Sequence, residues 1–139
     1  MKVAIVGLVA AVALMWAPPT LAHHSFAAFD RTREVTLSGA VREFQWSNPH
    51  AWIQVVVVDD KGRQTEWSVE CGSPNMMART GWKRTTLKAG DKIVAVVNPL
   101  KDGRPNGSLV RITLPGGSVL GPGDAPPPRP LGSATRSRS

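Results

Sequence analysis

The sequence contains a single cysteine, Cys71, so no disulfide can form within the chain. It has one long apolar run, residues 3–16, which is shorter than the about 20 residues that span a bilayer. A domain without covalent cross-links must take its stability from a packed core. The two scarcities together exclude a disulfide scaffold and a polytopic membrane protein.

The N-terminus has the features of a secretory signal peptide. A short positive start, Met1-Lys2, and small residues at the cleavage positions, Thr20-Leu21-Ala22, flank the apolar run. The predicted division is a signal peptide over 1–22, one domain over 23–120 and a disordered Pro-, Gly- and Arg-rich tail over 121–139. The sequence therefore predicts a periplasmic or secreted protein with no transmembrane segment after cleavage.

Acidic residues are also scarce. The chain has 17 basic and 10 acidic residues, and loss of Lys2 with the signal peptide leaves 16 against 10, a net charge of +6. Such a charge suits an anionic envelope surface. Nucleic acid is an unlikely partner because of the predicted compartment. The basic tail is either a solvated segment or a contact for an acidic partner.

The pattern of apolar residues predicts five strands and one short helix. The apolar phase of the first strand slips by one residue before Phe44, as a β-bulge would make it do. Ser73 as N-cap, Pro74 at the first helical position and Gly81 after the end predict a helix behind the third strand. The predicted strands are 35–46, 51–58, 65–71, 92–98 and 108–114, with a small hairpin closed by Gly116-Gly117.

This order predicts an all-β fold, an OB-like five-stranded Greek-key barrel with the helix between strands three and four. Alternation in the third strand directs Trp67 and Val69 to the core and predicts that Glu66 and Glu70 face solvent. On the helix, Met76 and Met77 are both predicted to face inward. Cys71, the residue after Glu70, is predicted to be a buried small hydrophobe.

The stretch that joins strands one and two holds the strongest candidate for a binding site. Trp46 and Trp52 flank the turn at Asn48-Pro49, and His50 lies where the turn enters a buried strand. The predicted ligand-binding residues are Trp46, Asn48, His50 and Trp52. Either the two indoles form the edge of a groove for a protein or small-molecule ligand, or they fill the core.

The three histidines of the chain form a second candidate site. A mature chain that begins at His23 would offer its α-amino group and imidazole to a metal ion, and His24 and His50 would complete the set. Nitrogen-rich sites suit copper, and a histidine at the mature terminus resembles the histidine brace of copper proteins. Alternatively, His23 and His24 are a solvated polar start and His50 is a packed turn residue.

Motifs for catalysis are missing from the sequence. It has neither Gly-x-Ser-x-Gly nor His-Glu-x-x-His, and Cys71 has no motif partner. We therefore predict no catalytic residues and a protein that is not an enzyme, with copper redox chemistry as the exception to be tested.

Several motifs together resemble a family of small exported bacterial proteins catalogued as a domain of unknown function. They are His23-His24-Ser25-Phe26, Val35-Thr36-Leu37-Ser38-Gly39, Trp46-Ser47-Asn48-Pro49-His50-Ala51-Trp52, Gly72-Ser73-Pro74-Asn75, Gly81-Trp82 and Leu87-Lys88-Ala89-Gly90-Asp91. The resemblance covers residues 23–120 and implies a periplasmic single domain with no assigned activity. Cys71 and the tail depart from the family pattern and take no role from it.

Three functional hypotheses follow. The first is a non-catalytic periplasmic binding module of unknown partner with its contact surface near Trp46 and Trp52. The second is a copper-binding protein that uses His23, His24 and His50. The third is an envelope structural or stress protein recruited through its basic tail.

Overall fold

The computed structural model describes residues 26–123. The predicted signal peptide, His23, His24 and the tail from residue 124 onward lie outside the described residues. Within residues 26–123, no helix is long and apolar enough to cross a membrane.

Five strands close into a barrel. The elements are β1 Val35–Gln45, β2 Trp52–Val58, β3 Gln64–Glu70, α1 Pro74–Arg79, β4 Lys92–Pro99, β5 Asn106–Thr113 and β6 Val119–Leu120. The antiparallel order β3-β2-β1-β4-β5 is closed by a parallel pairing of β3 with β5, and the short strand β6 extends β5. The only α-helix in the described part, α1, lies between β3 and β4. This confirms the predicted OB-like Greek-key barrel.

The long strand β1 pairs with β2 on one side and with β4 on the other. A register shift between Val41 and Glu43 makes Arg42 the extra residue of a bulge, which confirms the interpretation of the apolar slip. A Cβ atom at Gly39 would collide with the Val56 carbonyl oxygen and lie 2.9 Å from Val55 Cγ1. Glycine therefore lets β1 and β2 approach each other closely at this position.

The barrel interior is filled by the inward-facing apolar residues of the strands. Ile53, Val55 and Val69 are fully buried, and Trp82 packs its ring 5.7 Å from that of Phe44. Trp82 Nε1 donates to the Gly121 carbonyl oxygen at 2.9 Å. The Gly72 amide donates to the Pro122 carbonyl oxygen at 2.8 Å, so contacts with the domain continue past β6.

Helix α1 has the predicted ends. Ser73 Oγ accepts a hydrogen bond from the Met76 amide, Pro74 takes the first position, and Gly81 has a φ of 97° just after the helix. Met77 is fully buried but Met76 is 41% exposed, so the prediction that both face inward is wrong for Met76. Neighbouring helical residues point about 100° apart, so the six-residue helix buries Met77 and leaves Met76 exposed.

The start of the described chain is fastened beside the β4–β5 loop. Phe29 is buried and forms an isolated bridge with Leu100. The Asp30 amide donates to the Pro99 carbonyl oxygen, and the Lys101 amide donates to that of Ala28. The segment before β1 therefore follows the end of β4.

Candidate functional site

The β1–β2 loop, residues 46–51, forms one end of the candidate site. Its Asn48–Pro49 peptide bond is cis. Ser47 Oγ donates to the His50 carbonyl oxygen at 3.2 Å, and Arg84 reaches in from the α1–β4 segment to the Trp46 carbonyl oxygen. Backbone hydrogen bonds from Ala51 to Gly72 and from Cys71 to Ala51 join the base of the loop to the end of β3. These bonds bring His50 next to Glu70.

His50 and Glu70 form the central contact of this site. Nδ1 of His50 lies 2.6 Å from Oε1 of Glu70. An ionised carboxylate only accepts hydrogen bonds, so Nδ1 of His50 is the donor in this contact. The Glu70 side chain is 9% exposed and that of His50 is 31% exposed. The pair therefore joins a largely buried carboxylate to a half-exposed imidazole.

Glu70 belongs to a row of residues on the outer face of the barrel, which we define as the side of β2, β3 and β5 turned away from the core. Directly opposed residues of neighbouring strands share a face. Trp52 is opposite Glu70, and Glu70 is opposite Ser108. On the far side of β2, Gln45 of β1 is opposite Trp52. The row therefore carries one indole and three polar side chains.

A second polar row lies beside the first. Gln54 is opposite Ser68, and Ser68 is opposite Asn106. Ser68 Oγ donates to Gln54 Oε1 at 2.6 Å, and Gln54 as a whole is only 9% exposed. Among the described residues, Asn106 Oδ1 is buried and has no hydrogen-bond partner. Such an orphaned buried acceptor is uncommon in native structures and calls for an explanation.

The two tryptophans that flank the loop differ in placement. Trp46 packs against the core cluster, with its ring edge-to-face on Phe44 at 5.7 Å. Trp52 is half-buried and lies on the outer face opposite Glu70. Asn48 is exposed at the tip of the loop. Of the four predicted ligand residues, His50 and Trp52 therefore flank Glu70, whereas the Trp46 ring points toward the core.

Cys71 follows Glu70 but faces the core. Burial, together with the nearby negative charge of Glu70, raises the pKa of the Cys71 thiol far above its ordinary range. The side chain therefore stays a neutral thiol at physiological pH, as expected of a buried small hydrophobe.

The structure places one of the three predicted metal ligands. His50 lies on the outer face, whereas His23 and His24 lie outside the described residues. Within residues 26–123, no group of three or more histidine, cysteine, aspartate or glutamate side chains is close enough together to hold a metal ion.

An open groove of about 540 Å³ lies elsewhere on the barrel wall, over β1. Its lining includes Ser38, Ala40, Val58 and Val94, and none of the predicted site residues. The groove therefore does not belong to the site around His50.

Sequence reasoning missed Gln54, Ser68, Glu70 and Asn106, and the prediction that Glu70 faces solvent is wrong. Alternation correctly predicts that Glu70 points away from the core. Its side chain is nevertheless buried, because His50 and the neighbouring strands cover it. One signal was available in the sequence. The β2–β3 pairing is symmetric about Lys61 in the predicted hairpin loop, so the loop position alone puts Trp52 opposite Glu70.

A sequence profile described as a family of unknown function (DUF6152) matches residues 10–109 of the 139-residue chain. The matched part includes β1 to β4, α1 and the first half of β5, and thus the His50–Glu70 pair. No curated protein matches the sequence. No solved structure matches it either.

Proposed function

We propose that this chain, which belongs to the family of unknown function DUF6152, is a non-catalytic binding module that holds its ligand on the outer face beside the β1–β2 loop. The observation that carries the proposal is the His50–Glu70 pair. In this pair a buried carboxylate lies on the side of the sheet that faces away from the core. By analogy of fold, OB-type barrels bind ligands across strands two and three and the loops beside them.

The polar residues of the outer face have no evident structural need to be there. Withdrawing a carboxylate or an amide from water costs free energy that its hydrogen bonds only partly return. The inner faces of β2 and β3 already supply a fully apolar core. Glu70 and Gln54 are therefore better explained by a ligand that they recognise than by the stability of the barrel.

The site favours a ligand that has hydrogen-bond donors next to an apolar surface. The buried acceptor Asn106 Oδ1 would be satisfied by a donor from the ligand. The half-buried Trp52 ring offers a flat apolar contact in the adjacent row. Both a small polar molecule and a protein segment have these groups, and the predicted export of the chain would place either partner outside the cytoplasm.

A thermal-shift screen of polar small molecules and peptides tests this proposal. A ligand present at about 100 times its Kd should stabilise the protein by about 2.7 kcal/mol, which raises Tm by roughly 10 °C. The shift should persist in Lys61→Ala, a control at the opposite end of the β2–β3 hairpin, and disappear in Trp52→Ala and Asn106→Ala. A ligand that shifts all four proteins equally binds elsewhere and contradicts the proposal.

A copper-binding function is the second candidate, and the orientation of His50 favours it. Metal-ligating histidines usually donate their second ring nitrogen to a carboxylate, as His50 does to Glu70. Phe29, five residues after His24 in the sequence, is buried and forms a bridge with Leu100. His23, His24 and His50 would then supply the nitrogen ligands.

Titration of Cu(II) and Cu(I) into protein that begins at His23 tests the second candidate. Tight one-to-one binding should be weakened by His50→Ala and by one extra N-terminal residue. Glu70→Gln should weaken it by roughly 10-fold or more, because the ring loses its orienting carboxylate. Weak binding, or tight binding that ignores all three changes, contradicts this candidate and leaves the first one untouched.

A further inference from the structure

We propose that residues 79–88, here called the basic segment, attach the protein to bilayers that contain anionic phospholipid. The segment runs from the end of α1 toward β4 and carries Arg79, Lys83, Arg84 and Lys88, all of them exposed. No aspartate or glutamate occurs anywhere in residues 71–90. The basic segment is therefore a run of one charge sign on the protein surface.

The cations of the basic segment differ from four of the six arginines elsewhere in the described chain. Arg42, Arg63, Arg104 and Arg111 each bond a carboxylate, at distances between 2.7 and 3.2 Å. Within residues 26–123, no ion pair joins any cation of the basic segment to an acidic side chain. Its charge thus remains available to an external anion, whereas most arginine charge elsewhere is neutralised within the fold.

One polar contact places the basic segment beside the candidate binding site. Arg84 donates to the Trp46 carbonyl oxygen in the β1–β2 loop. The nearest carboxylate along the chain, Asp91, accepts the Lys88 backbone amide, a bond that leaves the Lys88 ammonium group in solvent. A membrane bound by this segment would therefore lie near the loop that carries His50.

An exposed methionine favours a bilayer over an anionic polymer. Met76 is 41% exposed and precedes Arg79 by one helical turn, so an apolar side chain stands on the surface next to the cations. The boundary between headgroups and acyl chains accepts both kinds of side chain. A phosphate or sulfate polymer would pair with the cations but offer no apolar layer for Met76.

Cosedimentation with vesicles tests the proposal on the full protein. Vesicles of phosphatidylcholine with about one third phosphatidylglycerol should bind it, and pure phosphatidylcholine should not. Each cation near an anionic surface contributes about 1 kcal/mol, so Lys83→Gln/Arg84→Gln should lower the partition coefficient by roughly 30-fold. The matched control Lys61→Gln/Lys101→Gln removes the same charge from other loops and should lower it only a few-fold. Met76→Gln should reduce binding, and Val58→Thr should not.

Four results would overturn the proposal. Equal losses in the two double variants would mean that net charge alone drives binding. Loss of binding in Arg129→Gln/Arg136→Gln/Arg138→Gln, with Lys83→Gln/Arg84→Gln unaffected, would assign the contact to the tail. Binding to dextran sulfate but not to anionic vesicles would identify a polymer as the partner. No binding to either would leave the basic segment without this role.

Discussion

Both faces of the β2–β3 hairpin contain buried side chains, but the chemistry of those side chains differs between the faces. On the inner face, Ile53, Val55 and Val69 are buried against other apolar side chains. On the outer face, Gln54 and Glu70 are almost as buried, and they are held by hydrogen bonds to Ser68 and His50. Apolar burial stabilises a fold directly, whereas polar burial returns little net free energy. The inner face accounts for the stability of the barrel, and the ligand site that we propose lies on the outer face.

The largest effect should come from the inner face. Ile53→Ala removes a fully buried side chain and should lower the free energy of unfolding by about 4 kcal/mol. Val58→Ala, on the same strand but 55% exposed, is the control and should change it by less than about 0.5 kcal/mol. Urea unfolding measures both. Similar losses for the two variants would remove the distinction between buried and exposed positions.

The next effect concerns the pair on the outer face. His50→Ala takes a donor from a buried carboxylate and should cost about 2 kcal/mol in urea unfolding. His50→Asn should recover part of the loss, because its side-chain amide can donate from a position close to that of Nδ1. Asn48→Ala, in the exposed tip of the same loop, should be nearly neutral. A neutral His50→Ala would show that Glu70 does not depend on this contact.

Cys71, the residue that follows β3, makes the free energy of unfolding depend on pH. Its pKa is raised in the folded state above the ordinary 9.0, so the unfolded chain loses the thiol proton first as pH rises. The contribution of the buried thiol to the free energy of unfolding is complete below about pH 9. Above that pH it falls by about 1.4 kcal/mol per pH unit. Unfolding in reductant between about pH 8 and pH 10.5 should show this slope in the unaltered protein and not in Cys71→Ala. Parallel curves would contradict the assignment.

The smallest effect should come from the second outer row. Ser68→Ala removes the donor to Gln54 Oε1 and should cost about 1 kcal/mol. Ser38→Ala, an exposed serine on β1, should leave stability unchanged. If Ser68→Ala is also neutral, the hydrogen bond from Ser68 does not stabilise the protein, and Gln54 Oε1 accepts from another donor in the variant.

The barrel could be predicted because strands that line a core require only that apolar residues occur at alternate positions. The bulge at Arg42, the capping of α1 by Ser73 and the short β6 hairpin follow local rules. The order of strands and helix along the sequence indicated the barrel by its similarity to the OB type. The prediction that Met76 faces the core was wrong, because a helix as short as α1 buries little more than one residue per turn.

The outer face could not be predicted in the same way. His50 and Glu70 are twenty residues apart, and their contact depends on the hairpin register and the path of the β1–β2 loop together. Alternation assigns Glu70 a direction but says nothing about what lies there. In the sequence, Trp46 and Trp52 are alike, because each is a tryptophan close to the turn. Only the path of the loop decides that Trp46 packs against the core and that Trp52 lies on the outer face.

The most direct test of the account is the stability of the double variant His50→Leu/Glu70→Met. If the pair is kept for binding, two apolar side chains of similar size should replace it at no loss, and the double variant should be as stable as the unaltered protein or more so. Each single change should still be destabilising, because it removes one partner only. A double variant less stable than the unaltered protein by about 2 kcal/mol or more would mean that the pair serves the fold, and would contradict the proposal that it serves a ligand.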